Sequence, residues 1–156
     1  MDEFLSNEIS NMLIALGNAI PKADLIFIWQ NYRVDDYEYS LFKKQIFEWN
    51  KKEQPTDCSK ITYELENVMI PPDLEEAYLK DESVHYLVKD MTDEYSQSLL
   101  MENNVKAVLM IAIFVKGELW GCVSLDNCST EEDFTDEEIL IVREYATKLG
   151  DFIGCN

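Results

Sequence analysis

The stretch AVLMIAIFVKGELWGCVSLD, residues 107–126, carries the strongest indication of the fold of this chain. Two apolar runs are separated by Lys116 and Gly117, and glycine takes a positive φ without steric cost. The runs are therefore expected to form an antiparallel hairpin with a tight two-residue turn. Because both runs are apolar almost throughout, the hairpin is predicted to lie in the middle of a sheet, covered on both faces.

Continuous pairing outward from that turn predicts which side chains of the hairpin share a face. It places Met110 opposite Val123 on a wholly apolar face. On the other face it places Leu109 opposite Ser124. In this interpretation Ser124, like the neighbouring Cys122, is a packing residue with no catalytic role.

The periodicity of the remaining segments predicts an α+β domain. Helices are predicted at residues 2–20, 73–82, 92–103 and 135–153, and further strands at 23–32, 40–50 and 83–91. Residues 51–68 give no clear pattern. The order predicts a mainly antiparallel sheet of five to six strands, with the terminal helices on one face and the short helices over the other. With 156 residues and no linker-like tract, a single domain over residues 1–156 is expected.

The start of the last helix carries a clear local signal. Thr135 is the expected N-cap, Glu138 completes a capping box, and Phe134 with Ile139 forms a hydrophobic staple. Further along the helix, Gly150 is expected to let another helix approach closely, which would compensate for its low helix propensity.

Charge and composition exclude several classes of function. The chain has 13 Lys and Arg against 31 Asp and Glu, a net charge of −18, which would repel nucleic acids and anionic membrane surfaces. No apolar run is long enough to span a bilayer, and the acidic N-terminus does not resemble a signal peptide. The four cysteines show no CxxC spacing, so a reduced, cytoplasmic chain is expected.

In this order, the segments VLMIAIFV, KGELWG, GCVSLDN and FTDEEILIVREYATKLGDFIG resemble a GAF domain, a small sensory module of signalling proteins. The resemblance implies a small-molecule pocket on one face of the sheet and terminal helices that form a homodimer and relay a signal. The chain is then expected to be part of a longer protein of two-component or cyclic-nucleotide signalling, since its helical seam continues to Ile153. The dimer-helix candidates are Leu5, Ile9, Met12, Leu16, Ile139, Val142, Ala146, Leu149 and Ile153.

Cyclic-nucleotide-binding GAF domains have an Asn-Lys pair, followed later by Phe with Asp-Glu after a three-residue gap. Here Asn127 is followed by Cys128, and Phe134 is separated from Asp136 and Glu137 by one residue only. Since the helix cap explains these acidic residues, cyclic-nucleotide binding is not expected.

Two further branches of the family depend on cysteine. Bilin-binding members commonly have a histidine beside the attachment cysteine, whereas His85 is far in sequence from every cysteine. Free methionine sulfoxide reductases have two catalytic cysteines before the central hairpin, where this chain has only Cys58. A thiol enzyme needs an activated thiolate with a resolving partner within reach, so this activity is the weaker alternative.

The aromatic residues of the strands and short helices are the candidates for a pocket, because pockets are mostly apolar with a few polar groups. The pocket candidates are Phe27, Trp29, Phe47, Trp49, Tyr86 and Tyr95. The same residues could be ordinary core, and a ligand-free dimerisation module is therefore the other main hypothesis. No metal-ligand spacing, phosphate loop or nucleophile motif is present, so the sequence specifies neither a cofactor nor a catalytic residue. His85 alone could ligate a haem iron, but a solvent-facing strand histidine is the commoner situation.

Overall fold

The computed structural model describes residues 3–33, 41–51 and 68–156. The helices are α1 (Glu3–Ala19), α2 (Pro72–Leu79), α3 (Glu94–Glu102) and α4 (Asp136–Cys155). The strands are β1 (Leu25–Arg33), β2 (Leu41–Asn50), β3 (Val68–Ile70), β4 (Val84–Leu87), β5 (Ala107–Val115) and β6 (Glu118–Asn127). A 3-10 turn, Val88–Asp90, follows β4. Within these ranges, no helix is long and apolar enough to cross a membrane.

The six strands form one sheet in the order β3-β2-β1-β6-β5-β4, and all neighbouring strands are antiparallel. The hairpin of β5 and β6 lies inside this sheet, as predicted from residues 107–126, because β1 pairs with β6 on one side and β4 pairs with β5 on the other. The predicted α+β class and the five- to six-stranded antiparallel sheet are confirmed.

Two buried layers enclose the sheet. On one side, here called the helix face, residues such as Ile28, Ile111 and Val123 pack against α1 and α4. The opposite side, here called the far face, has its own cluster, which includes Trp29 and Cys122 and which α2 covers through the buried Tyr78. Apolar burial on both sides accounts for the nearly continuous hydrophobic sequence of the central hairpin.

The cap of α4 forms as predicted. The hydroxyl of Thr135 accepts a hydrogen bond from the amide of Glu138, and the Glu138 carboxylate accepts one from the amide of Thr135 at 2.8 Å. Lys22 donates to the same carboxylate at 2.9 Å, and so connects α4 to the segment before β1. Phe134 and Ile139 are both buried in the helix-face core, where the predicted staple places them.

The turn of the hairpin is also as predicted, but the pairing beyond it is not. Lys116 and Gly117 have φ of 53° and 80°, which fits a type I′ turn. A bulge at Trp120 then shifts the register, so that Met110 lies opposite Ser124 instead of Val123. The inserted residue reverses the face on which each later side chain of β6 lies. Ser124 was predicted to pair with Leu109, and this prediction was wrong.

A second bulge lies between β1 and β2. Ile28 is opposite Phe47, whereas Trp29 is opposite Gln45, so Ile46 is the inserted residue. Strict alternation would have placed Leu41, Phe47 and Trp49 on one side. The bulge separates them: Leu41 belongs to the far-face core, whereas the two aromatic side chains pack against the helix-face core.

Gly150 of α4 allows a close contact, but with a strand and not with a helix. A Cβ atom at this position would collide with the backbone carbonyl oxygen of Phe114 in β5. The expectation that this glycine serves helix–helix packing was wrong. Its lack of a side chain instead lets α4 lie directly on the hairpin.

Candidate ligand site

Because of the two bulges, polar side chains from three adjacent strands share the far face. Cross-strand pairing aligns Gln45, Trp29 and Cys122 in one row. Two residues along β1, Phe27 pairs with Ser124. Two residues further, Leu25 pairs with Asp126. The far face is thus an apolar floor with a line of polar groups from β6.

Trp29 lies at the centre of this group and is only 3% exposed. Its indole Nε1 donates to the hydroxyl of Ser124 at 2.9 Å. Its ring is tilted against the ring of Phe27, with 5.9 Å between the centroids. The ammonium of Lys43 lies 4.2 Å from the indole centroid, within the range of a cation–π interaction. Trp29 is therefore held in place by contacts on three sides.

Next to Lys43, two side-chain amides have buried atoms without partners. Nδ2 and Oδ1 of Asn31, and Oε1 of Gln45, make no hydrogen bond within the described part of the chain. Asn31 pairs with Lys43 across the strands, and Gln45 pairs with Trp29. Buried polar atoms are nearly always hydrogen-bonded, and an unpaired one costs about 1–3 kcal/mol. These atoms therefore have unmet hydrogen-bonding capacity.

Asp126 lies at the other end of the line and is only 5% exposed. Burial raises the pKa of its carboxyl to about 7, with Lys43 lowering the pKa and Asp24 raising it. Asp24 is well bonded, since it accepts hydrogen bonds from the amide of Cys128 at 2.7 Å and the hydroxyl of Ser129 at 2.9 Å. The ionisation of Asp126 is therefore partly suppressed at neutral pH.

Two tyrosines complete the far face. Burial, together with the charge of Asp126, raises the pKa of Tyr86 to about 12, so its phenol is neutral at physiological pH. Tyr78 donates to the sulfur of Met110 at 3.4 Å. Burial also raises the pKa of Cys122, against smaller lowering effects of Lys43 and Tyr78, and a buried neutral thiol is a poor nucleophile.

Three of the six predicted pocket residues lie on the far face, namely Phe27, Trp29 and Tyr86. Phe47 and Trp49 lie on the helix face instead, because of the bulge at Ile46. Tyr95 is 79% exposed on α3 and lines neither core. The predicted set is therefore divided by the sheet.

Sequence reasoning missed the polar members of the cluster, Asn31, Lys43, Gln45 and Asp126. Each follows or interrupts an apolar run, and on a chain with 31 acidic residues a single aspartate at a strand end is not distinctive. The lone acid at the end of the buried strand GCVSLD was the one available signal.

The residues predicted for a dimer surface mostly pack inside this chain. Six of them are buried in the helix-face core: Ile9, Leu16, Ile139, Val142, Ala146 and Leu149. Leu5, Met12 and Ile153 are partly buried against that core. The predicted seam is thus the inner side of the two helices, since apolar periodicity alone does not distinguish a core-facing stripe from a partner-facing one.

The outer side of the terminal helices carries other apolar residues. Phe4 is 63% exposed and Leu140 is 67% exposed, and Ile14 is also exposed. The ring centroid of Phe4 is 6.4 Å from that of Phe152, which connects the start of α1 with the end of α4.

His85 and the cysteines other than Cys122 are the remaining sequence candidates for haem, metal or thiol chemistry. His85 is partly exposed, and its Nδ1 lies 2.9 Å from Asp133. Across the described ranges, no group of three potential metal ligands comes together. Cys58 lies outside the described residues. Cys128 is disulfide-bonded, which differs from the expectation of a fully reduced chain.

A cavity of about 450 Å³ lies near the hairpin turn, away from the polar cluster. It is lined by residues of α4 and the turn, including Thr147 and Lys116. Arg143, at its wall, donates to Asp81 at 3.0 Å, so this charge already has a partner.

An antiparallel sheet with terminal helices on one face and a partly unpaired polar cluster on the other defines a small α+β domain. The GAF domain family model matches residues 24–151, and the chain belongs to this family. The predicted family is confirmed.

The chain is also similar to part of a signalling protein. The chain is 28% identical over 145 residues to the methanogenesis regulatory histidine kinase FilI of Methanothrix harundinacea (strain 6Ac). The match covers 91% of this chain and 16% of that kinase.

Solved structures show the same fold at low sequence identity. The photoproduct state of GAF3 from Slr1393 of Synechocystis sp. PCC6803 has a TM-score of 0.72 at 17% identity, covering 97% of this chain and 94% of that one. The GAF domain of a two-component sensor histidine kinase from Bacillus halodurans has a TM-score of 0.65 at 17% identity, covering 95% and 92%.

Proposed function

We propose that this chain is the sensory GAF domain of a larger signalling protein and binds a small molecule on the far face of its sheet. The observation that carries the proposal is the set of buried polar atoms without partners on Asn31 and Gln45, beside the indole of Trp29. Proteins keep such groups at a cost in stability, and the far face offers the mixture of apolar walls and few polar groups that small ligands use.

The relationship with a regulatory histidine kinase supports the signalling part of the proposal. The chain spans 16% of that protein, so any catalytic output belongs to segments outside this match. The GAF domain itself is proposed to be non-catalytic. The buried Cys122, with its raised pKa, is unsuited to the thiolate role of a sulfoxide reductase, and Cys58, the residue on which that alternative rests, lies outside the described residues.

A stability test examines the polar cluster without knowledge of the ligand. If Asn31 and Gln45 serve a ligand, then Asn31→Leu and Gln45→Leu should each maintain or increase the free energy of unfolding by up to about 1 kcal/mol, since an unpaired buried polar group is removed. Thr147→Ala, on the exposed surface of α4, is the control. A loss of more than about 1 kcal/mol in both leucine variants would mean that these amides are structural.

The ligand itself can be sought by thermal-shift screening of amines, amino acids, nucleotides and aromatic acids. A compound at a thousandfold excess over its Kd stabilises the folded state by about 4 kcal/mol. The double variant Asn31→Leu/Gln45→Leu should lose this shift while remaining folded. If no compound shifts the wild-type protein, the ligand-free dimerisation module becomes the better description.

We also propose that the domain forms a homodimer through the outer side of α1 and α4. The supporting observation is the exposed apolar set of Phe4, Ile14 and Leu140 on these two helices. Exposed apolar side chains on neighbouring helices are typical of a protein–protein contact. Light scattering should give the mass of a dimer for the wild-type chain and of a monomer for Phe4→Ser/Leu140→Gln. A monomeric wild-type chain at high micromolar concentration would contradict the dimer.

A further inference from the structure

The carboxyl of Asp126 differs from every other acidic group on the far face. It is 5% exposed, and among the described residues no side chain forms a hydrogen bond or ion pair with its carboxyl, on which only burial and the charges of Lys43 and Asp24 act. Its neighbour Asp24 is similarly buried, but accepts hydrogen bonds from two donors, the amide of Cys128 and the hydroxyl of Ser129. The carboxylate of Asp24 thus has hydrogen-bond donors, whereas the carboxyl of Asp126 lacks the donors that a buried carboxylate needs.

The groups that face Asp126 do not supply those donors. Lys43 from β2 lowers its pKa through space, but the ammonium lies over the indole of Trp29 and forms no ion pair with Asp126. Asp24 before β1 raises the pKa of Asp126 through its charge, and Asp126 in turn raises the pKa of Tyr86 on β4. Other titratable groups on this face, among the described residues, include Cys122 on β6, Tyr78 on α2 and Glu48 on β2, and Arg33 on β1 is paired with Glu75 on α2.

The apolar surroundings of Asp126 are suited to the carbon skeleton of a ligand. Its cross-strand neighbours are Leu25 on β1 and Val108 on β5, and Tyr86 continues the same row on β4. Phe27, two residues along β1, extends the apolar surface toward Trp29. A ligand that contacts Asp126 would therefore bury an aliphatic or aromatic body against these walls.

Resting on the proposed function, we propose that Asp126 anchors the protonated amine of a small aromatic amine bound on the far face. The negative charge of Asp24 and the chain's net charge of −18 both attract a cation to this end of the face. An ammonium supplies the N–H donors that the carboxyl lacks, and a charge-assisted hydrogen bond is about twice as strong as a neutral one.

The proton balance of this binding step is simple. The ligand enters as an ammonium and keeps its proton, whereas the neutral carboxyl of Asp126 releases one proton to solvent as the ion pair forms. Binding of the amine is therefore accompanied by net proton release, and affinity rises with pH. A ligand that accepted a hydrogen bond from the neutral carboxyl would show the opposite dependence, with affinity falling as pH rises.

The test uses 2-phenylethylamine as probe, with 2-phenylethanol and 3-phenylpropionate as neutral and anionic comparisons. Isothermal titration should show an affinity for the amine that is about tenfold higher at pH 8 than at pH 6. The reason is that the fraction of protein molecules with an ionised Asp126 rises from a small fraction at pH 6 to nearly all at pH 8. Titration in buffers of different ionisation enthalpy should show release of protons at pH 6.

Asp126→Asn should lose binding of the amine and its pH dependence, while a thermal melt shows that the variant is folded. Glu48→Gln, an acidic residue of the same face, should retain both. Equal binding of the amine to Asp126→Asn, an affinity that falls with pH, or no binding of the amine would overturn this inference. If the alcohol or the propionate binds instead, the ligand function of the far face stands and only the amine assignment fails.

Discussion

The indole N–H of Trp29 donates to the hydroxyl of Ser124 at 2.9 Å, and this buried hydrogen bond joins β1 to β6 on the far face of the sheet. It exists because the bulge at Trp120 moves Ser124 to the side of Trp29. The bond fixes the aromatic side chain at the centre of the polar cluster. The sequence suggested that Ser124 was only a packing residue, whereas in the structure it is the acceptor that positions Trp29 in the candidate site.

Replacing this acceptor tests the contact directly. Ser124→Ala should lower the free energy of unfolding by about 1–3 kcal/mol, because the indole N–H would be left buried without a partner. Urea denaturation followed by tryptophan fluorescence measures the change. Thr147→Ala, which removes an exposed hydroxyl on α4, should change stability by less than about 0.5 kcal/mol. Equal effects of the two variants would show that the Trp29 bond is unimportant.

Two glycines of the same helix should respond oppositely to alanine. At Gly150 a Cβ would collide with the carbonyl oxygen of Phe114, so Gly150→Ala should destabilise the protein by several kcal/mol, on the order of a severe overpacking defect. At Gly154 the nearest atom, Cγ1 of Val115, is 3.4 Å away, and alanine should be neutral or stabilise by up to about 1 kcal/mol. Thermal denaturation of both variants decides the matter, and a stabilised Gly150→Ala would contradict this packing.

The raised pKa of Asp126 predicts a pH dependence of stability. From the unfolded value of 3.8 up to about 7, the folded protein binds more protons than the unfolded chain, so the free energy of unfolding falls as pH rises. The full difference is on the order of 4 kcal/mol above pH 7 and disappears below the unfolded pKa.

Asp126→Asn should remove this contribution, and the variant should be more stable than the wild-type protein at pH 8 but not at pH 3.5. Denaturant unfolding across this pH range measures the difference. Asp151→Asn, at an exposed position of α4, is the matched control and should follow the wild-type curve. A constant offset between the Asp126→Asn and wild-type curves would be inconsistent with a titrating carboxyl.

The capping box predicts a smaller and local effect. Thr135→Ala removes the acceptor for the Glu138 amide and should cost about 1 kcal/mol, whereas Thr135→Ser keeps the hydroxyl and should cost much less. Hydrogen exchange of the first turn of α4 should become faster in the alanine variant alone. Equal protection in the two variants would mean that packing of Phe134 holds this helix start without the cap.

Much of the fold was predictable from local sequence. The turn at Lys116 and Gly117, the cap at Thr135 and the apolar period of α1 and α4 each depend on residues close together in the chain. The order of these elements also led to the GAF family, which the match over residues 24–151 confirms. The far-face cluster was predicted only in part, through Phe27, Trp29 and Tyr86.

Local sequence predicted the turn, the cap and the apolar periods of the long helices, because these are interactions over a few residues, whereas the short strand β3 was not predicted and the strand expected at 83–91 is β4 followed by the 3-10 turn Val88–Asp90. The tertiary structure decided which face each side chain occupies. The bulges at Ile46 and Trp120 arise from the pairing of whole strands, and each inserted residue reverses the alternation beyond it. For this reason Phe47 lies with the helices, and Asp126 lies on the far face beside the Trp29 cluster.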